Sequence, residues 1–179
     1  NLNNKVALIT GGSKGIGYGI AYALMQQGVN VAITSRSVAS AEKAAEQLNA
    51  EVSSAKAIGL QADVRQLESQ QQAVKTTVDT FGQLDIVIAN AGLGHFGSIE
   101  DLTTTQWNEV IDTNLTGVFN SIKASVDALK ASKGYYITIS SLAGTNFFAG
   151  GSAYNASKFG VTGFTQAVML DLRKYGIKV

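Results

Sequence analysis

Apolar residues fall along this chain in short blocks, separated by longer stretches where they recur every three or four positions. Blocks of strand length occupy 5–10, 29–34, 55–61, 84–89 and 135–139. Helical spacing fills 15–27, 38–50, 65–81, 105–132 and 153–175. In the first helix Ile16, Ile20, Ala23 and Leu24 lie near a 3.6 period, and Gly28 ends it. Ile177-Lys178-Val179 begins a further strand. Strands alternating with helices predict an α/β domain built on a parallel sheet with helices on both faces, in three layers. With 179 residues and no repeat or linker, one domain with a sizeable core is expected.

Composition narrows the chemistry. Apolar residues make up 45% of the chain and charged residues only 15%, which suggests that partner subunits hide some surface. The net charge of +1, with cations scattered singly, argues against a nucleic-acid partner. No apolar run approaches the ~18 residues of a membrane span. The opening 1–5 leads directly into a strand-like block, so no signal peptide is expected, and a cytoplasmic location suits the chain. Without cysteine there are no thiol nucleophiles, and the lone histidine, His95, leaves little for a metal site.

The first strand runs into Thr10-Gly11-Gly12-Ser13-Lys14-Gly15-Ile16-Gly17 before the first helix. Glycines here let the backbone turn tightly and approach a pyrophosphate at the helix N-terminus. The spacing Gly-x-x-x-Gly-x-Gly is not the commoner Gly-x-Gly-x-x-Gly, and no Walker A lysine follows. Gly11-Gly12-Ser13-Lys14-Gly15 also satisfies the Gly-x-Ser-x-Gly nucleophile elbow, with Asp63 or Asp85 and then His95 in triad order. Against that reading, no earlier strands supply a hydrolase sheet or its oxyanion loop.

Ser35 falls 35 − 17 = 18 residues after Gly17, near where an acid commonly holds a ribose 2′-hydroxyl. There is no acid; Ser35 can hydrogen-bond, and Arg36 and Lys14 can pair with a 2′-phosphate. A preference for NADP(H) over NAD(H) follows. Asp63, after the third strand, suits either a helix N-cap or an adenine contact. Asn90-Ala91-Gly92 closes the fourth strand with residues small enough to admit a cofactor.

Further on, Trp107, Val110, Ile111, Leu115, Val118, Phe119 and Ile122 form one stripe, and the polar Asn114 lies within it. A buried amide costs about 1–3 kcal/mol unless it is hydrogen-bonded, so Asn114 needs backbone, water or reacting groups as partners. Ser140-Ser141 ends the fifth strand; without an adjacent base such a serine is a hydrogen-bond donor rather than a nucleophile. Tyr154 and Lys158 are one helical turn apart and share a face. A phenol needs roughly 3 pKa units of help, about 4 kcal/mol, to serve as an acid near pH 7. A lysine charge about 4 Å away supplies that order of energy at an effective dielectric of 20. An exposed Tyr and Lys on a surface helix is the plainer alternative for the pair alone.

The ordered set resembles the short-chain dehydrogenase/reductase family: Thr10-Gly11-x-x-x-Gly15-x-Gly17, Asp63, Asn90-Ala91-Gly92, Asn114, Ser141 thirteen residues before Tyr154, and Tyr154-x-x-x-Lys158. The resemblance spans the chain and implies a Rossmann-type doubly wound sheet. It implies that Tyr154 exchanges a proton with the substrate oxygen and that Ser141 holds that oxygen. Lys158 is implied to bind the nicotinamide ribose and lower the phenol pKa, and Asn114 to anchor a water in a proton relay. The cofactor site it implies comprises Gly11, Ser13, Lys14, Gly15, Ile16 and Gly17. Ser35, Arg36, Asp63, Val64, Asn90, Ala91 and Gly92 complete it with Tyr154 and Lys158. Basic residues at Lys14 and Arg36 match NADP-preferring members.

Ala89 replaces a second asparagine common in the family, with little consequence expected. Members also continue beyond this point with a Pro-Gly turn, a substrate loop and a seventh strand. The expectation is therefore that 1–179 is a single dinucleotide-binding and catalytic domain lacking that loop and last strand, part of a longer protein. Residues 93–96 and 145–148 are expected to line the substrate pocket, with His95, Phe96, Ser141, Phe147 and Tyr154 meeting the substrate. Their apolar and aromatic character suits a hydrophobic ketone, and His95 is expected to shape the pocket rather than catalyse. The leading reading is an NADPH-dependent carbonyl reductase or secondary-alcohol dehydrogenase. The alternatives are a 3-oxoacyl-acyl-carrier-protein reductase, with Lys130, Lys133, Arg173 and Lys174 as cations for the carrier, and a non-catalytic NADP-binding regulator. The family implies homodimers or homotetramers through the long helix and the Tyr154 helix.

Overall fold

A computed structural model describes residues 2–179. Five strands, β1 (Val6–Ile9), β2 (Asn30–Ser35), β3 (Ala57–Gln61), β4 (Ile86–Ala89) and β5 (Tyr135–Thr138), form one parallel sheet in the order β3-β2-β1-β4-β5. The helices are α1 (Gly15–Gln26), α2 (Val38–Glu51), α3 (Leu67–Phe81), α4 (Thr104–Ile111), α5 (Gly117–Ser132) and α6 (Ser152–Leu172). The chain winds outward from β1 to β3, then crosses back to place β4 on the other side of β1. A crevice opens where the winding reverses, above the carboxyl ends of β1 and β4.

Side chains alternate between the two faces. Ala7, Ile9, Val31, Ile33, Ile86 and Ile88 join one core with Ala21 and Met25 of α1 and Ala44, Ala45 and Leu48 of α2. Val6, Leu8, Ala32, Val87 and Ala89 join the other with Val74 of α3, Val118, Ile122 and Leu129 of α5, and Val161 and Leu172 of α6. A strand buried on both faces must be apolar at every position, which is why β1 and β4 read as continuous runs. The edge strand β5 is covered on one face only. Tyr136 is buried there and donates to Val118 O at 2.7 Å, while Ile137, on the α1 side, stays 43% exposed.

Two expected elements differ. The continuous helix over 105–132 is divided, because Asp112–Thr116 forms one π-helical turn between α4 and α5. A π turn takes in extra residues per turn and breaks the 3.6 phase; Trp107 and Phe119 of the expected stripe remain partly exposed while Val110, Val118 and Ile122 are buried. Asp63 does not cap α3. Its Oδ1 accepts from Arg65 N at 3.0 Å in a local turn, and Gln66 occupies the N-cap. The segment after α6 approaches β5 through a parallel bridge between Tyr135 and Lys178. Among the described residues no helix is long and apolar enough to cross a membrane.

Candidate active site

The ends of β1 and β4 are sewn together by side chains. Thr10 Oγ1 accepts from the backbone N–H groups of Asn90 and Ala91 at 3.0 and 3.1 Å. Asn90 Nδ2 donates back to Thr10 O at 3.0 Å and Gly11 O at 3.2 Å. This stitching holds the glycine turn close to the start of α1. At Gly17 a Cβ would stand 2.5 Å from Asn90 Nδ2 and 2.8 Å from Gly11 O, so only glycine fits. Gly15, by contrast, has φ +58 and nothing within 4 Å of a built Cβ.

Above this junction lies a cleft of about 800 Å³. Gly11, Ser13, Lys14, Gly15 and Ile16 line its floor, and Ser35, Arg36 and Ser40 one end. Lys14, the N-cap of α1, makes no side-chain cap bond, and no acid sits in the first turn. The first N–H groups of α1 therefore retain their capacity to bind an anion, and the helix dipole favours one there. Uncapped donors, an open glycine and two cations within one cleft fit a dinucleotide phosphate. Asp63, Val64, Asn90, Ala91 and Gly92 also line the cleft. The Asp63 carboxyl is held below its ordinary pKa, chiefly by the hydrogen bond from Arg65, whose Nη2 lies at 2.6 Å.

Tyr154 and Lys158 reach the opposite wall from α6. Lys158 is buried; its Nζ donates to Ile139 O at 2.8 Å and lies 5.8 Å from the centre of the Tyr154 ring. Burial lowers the Lys158 pKa from its ordinary value. The exposed-surface reading of the pair is thus corrected: the cation is held out of water beside the phenol. Asn114 is fully buried in the π turn. Its Oδ1 accepts from Leu93 N and its Nδ2 donates to Leu93 O, both at 2.8 Å, and Nδ2 also meets Ser157 Oγ at 3.0 Å. The partner demanded by burial is therefore the backbone just past Asn90-Ala91-Gly92.

Other expected site residues stand differently. Ser140, not Ser141, lines the cleft. Ser141 Oγ accepts from Ala143 N at 3.2 Å and starts the 3-10 turn Leu142–Gly144. An acceptor in that bond, this hydroxyl still has its own proton to donate. His95 turns away to Glu109 Oε2 on α4 at 2.8 Å and does not line the cleft. Phe147 is 85% exposed and off the cleft wall; its neighbour Phe148 packs on Phe96 instead. Thr113, Ile139 and Ser40 line the cleft unanticipated; the polar run 112–114 inside an apolar stripe was the available signal for the first. The hydrolase triad is overturned, since His95 pairs with Glu109, Asp63 with Arg65 and Asp85 with Lys5.

The short chain dehydrogenase profile matches residues 5–179. The chain belongs to that family. As a short-chain dehydrogenase it is 40% identical over 179 residues to a trans-4-hydroxycyclohexanecarboxylate dehydrogenase of Sinomonas cyclohexanicum, covering 98% of this chain and 69% of that protein. It is 38% identical over 181 residues to a 3-oxoacyl-acyl-carrier-protein reductase of Synechocystis, covering 99% and 72%. Among solved structures, an alcohol dehydrogenase of Thermococcus sibiricus complexed with 5-hydroxy-NADP superposes with a TM-score of 0.89 at 35% identity, over 93% of this chain and 71% of that one.

Proposed function

We propose that residues 1–179 form the dinucleotide-binding and catalytic domain of an NADPH-dependent reductase of hydrophobic ketones, able to oxidise the corresponding secondary alcohols. The observation that carries this reading is the buried Lys158 beside Tyr154, across one cleft from the uncapped N-terminus of α1. A nicotinamide cofactor supplies or accepts the hydride. The α1 N–H groups bind its pyrophosphate, while Lys14, Ser35 and Arg36 receive the 2′-phosphate. Tyr154 gives its proton to the carbonyl oxygen, or takes it back in oxidation. Ser141, whose hydroxyl keeps its own proton while accepting from Ala143 N, donates a hydrogen bond to the same oxygen. Lys158 holds positive charge beside the phenol and binds the ribose, and Asn114 keeps loop 92–94 in place for the reacting groups.

The ring-bearing alcohol in the name of the Sinomonas relative and the NADP analogue in the Thermococcus complex support the substrate and cofactor assignments. The Synechocystis relative favours a second reading, a 3-oxoacyl-acyl-carrier reductase. Lys130, Lys133, Arg173 and Lys174 are not among the residues lining the cleft, so the small ketone is the leading assignment. The exposed apolar side chains Phe119, Phe159, Met169 and Leu170 of α5 and α6 support a homodimer or homotetramer.

The deciding experiment follows NADPH and NADH oxidation against ketones and acyl-carrier thioesters, with Tyr154→Phe alongside. NADPH-dependent ketone turnover that drops by roughly 100-fold or more in the variant is expected. Faster thioester turnover selects the second reading. Full activity in Tyr154→Phe overturns the assignment of the proton donor, and tight NADPH binding without turnover makes the chain a regulator.

A further inference from the structure

One large apolar side chain beside Tyr154 is left open to the cleft. Phe96 lines the cleft and is 65% exposed, yet it is held on three sides. Its ring centre lies 5.6 Å from that of Tyr154 and 6.0 Å from that of Phe148. Beneath it, a Cβ on Gly94 would strike the ring edge at 2.5 Å, so the ring rests directly on glycine backbone. Phe148 is held in turn. Asn155 Nδ2 donates to Phe148 O at 3.2 Å, and Gly97 N donates to Gly150 O at 2.9 Å, which ties the Phe96 loop to the Phe148 loop. The Phe96 ring thus packs on two aromatic rings and on glycine backbone while most of its surface stays open beside Tyr154.

We propose that Phe96 is a stacking platform that selects ring-bearing carbonyl substrates, with Phe148 as the residue that positions it. The inference rests on the ketone-reductase reading above and specifies its substrate class. A carbonyl oxygen directed at Tyr154 places the group on its carbonyl carbon against the Phe96 ring. A rigid ring presents a whole face to that ring and loses few rotors on binding, whereas a linear chain of equal carbon number must freeze several. Discrimination between the two therefore comes from Phe96, while proton transfer stays with Tyr154.

The test compares cyclohexanone with 2-hexanone as NADPH-dependent substrates of wild type, Phe96→Ala, Phe148→Leu and Phe148→Tyr. Wild type is expected to favour cyclohexanone by roughly 10-fold in kcat/KM, and Phe96→Ala to remove most of that preference by lowering cyclohexanone turnover more than 2-hexanone turnover. Phe148→Leu should raise KM for cyclohexanone with kcat nearly unchanged, and Phe148→Tyr should restore it. Independently of turnover, cyclohexanone added to the complex with oxidised NADP, which has no hydride to give, should shift the ring resonances of Phe96 in phenylalanine-labelled protein, and 2-hexanone should do so less. An unchanged ring-to-chain ratio in Phe96→Ala, or Phe96 resonances indifferent to both ketones, overturns the platform. Wild-type protein that reduces neither ketone yet shows the selective shift retains the platform and overturns the reductase reading instead.

Discussion

The amide of Asn114 clasps the backbone of Leu93 from both sides, accepting from its N–H and donating to its carbonyl, each at 2.8 Å. The clasp joins the π turn to the loop that leaves β4 at the mouth of the cleft. In Asn114→Ala both Leu93 groups lose their partner, which costs about 1–3 kcal/mol of stability. Urea unfolding should show that loss, and hydrogen exchange at the Leu93 amide should accelerate more than at amides of β1.

Lys158 carries a stability consequence with a definite sign. Its folded pKa is lowered by burial from the ordinary 10.5, so over the interval between the two values the unfolded chain binds more protons than the folded one. Stability then rises with pH across that interval, and the cost of the buried charge is fully present below it. Urea midpoints measured from pH 7 to pH 10 should therefore rise in wild type relative to Lys158→Met. A difference between the two that does not change with pH contradicts the assignment of the shift to burial of the charge.

Arg36 and Lys14 both line the cleft, where they are proposed to receive the 2′-phosphate. Arg36→Leu is expected to raise KM for NADPH by roughly 10- to 100-fold and KM for NADH by less than about 3-fold. Steady-state kinetics with both cofactors measures this directly. Equal losses for the two cofactors would place Arg36 outside the phosphate site.

Away from the cleft, Asp85 serves folding. Its carboxylate accepts from Lys5 Nζ at 2.8 Å, Val6 N at 2.9 Å and Gln83 Nε2 at 2.7 Å, joining the start of β1 to the start of β4. Asp85→Ala leaves the buried Val6 N–H unpaired and should lower stability by about 2–3 kcal/mol. KM for NADPH should be unchanged at a temperature where the variant is folded.

Much of this organisation was legible in local pattern. Runs such as Val6-Ala7-Leu8-Ile9 identify doubly buried strands because nothing polar can be solvated there. The glycine turn after β1 and the turn of helix between Tyr154 and Lys158 are short-range relations, and both landed on the cleft. Asn114 was marked by a polar side chain in an apolar stripe. Its partner, Leu93, lies 21 residues away and could be known only from the fold.

What the sequence by itself determined is the alternation of strands and helices and the spacing of the glycine turn, Asn114, Tyr154 and Lys158, since these depend on period and chemistry along the chain. Only the tertiary structure decided which neighbour faces the cleft: Ser140 rather than Ser141, Phe148 rather than Phe147 on Phe96, and His95 turned to Glu109. In a loop no repeating period dictates side-chain direction. It is set by contacts with residues distant in the chain, and a single π turn is enough to shift the phase of a helix that the sequence alone shows as continuous.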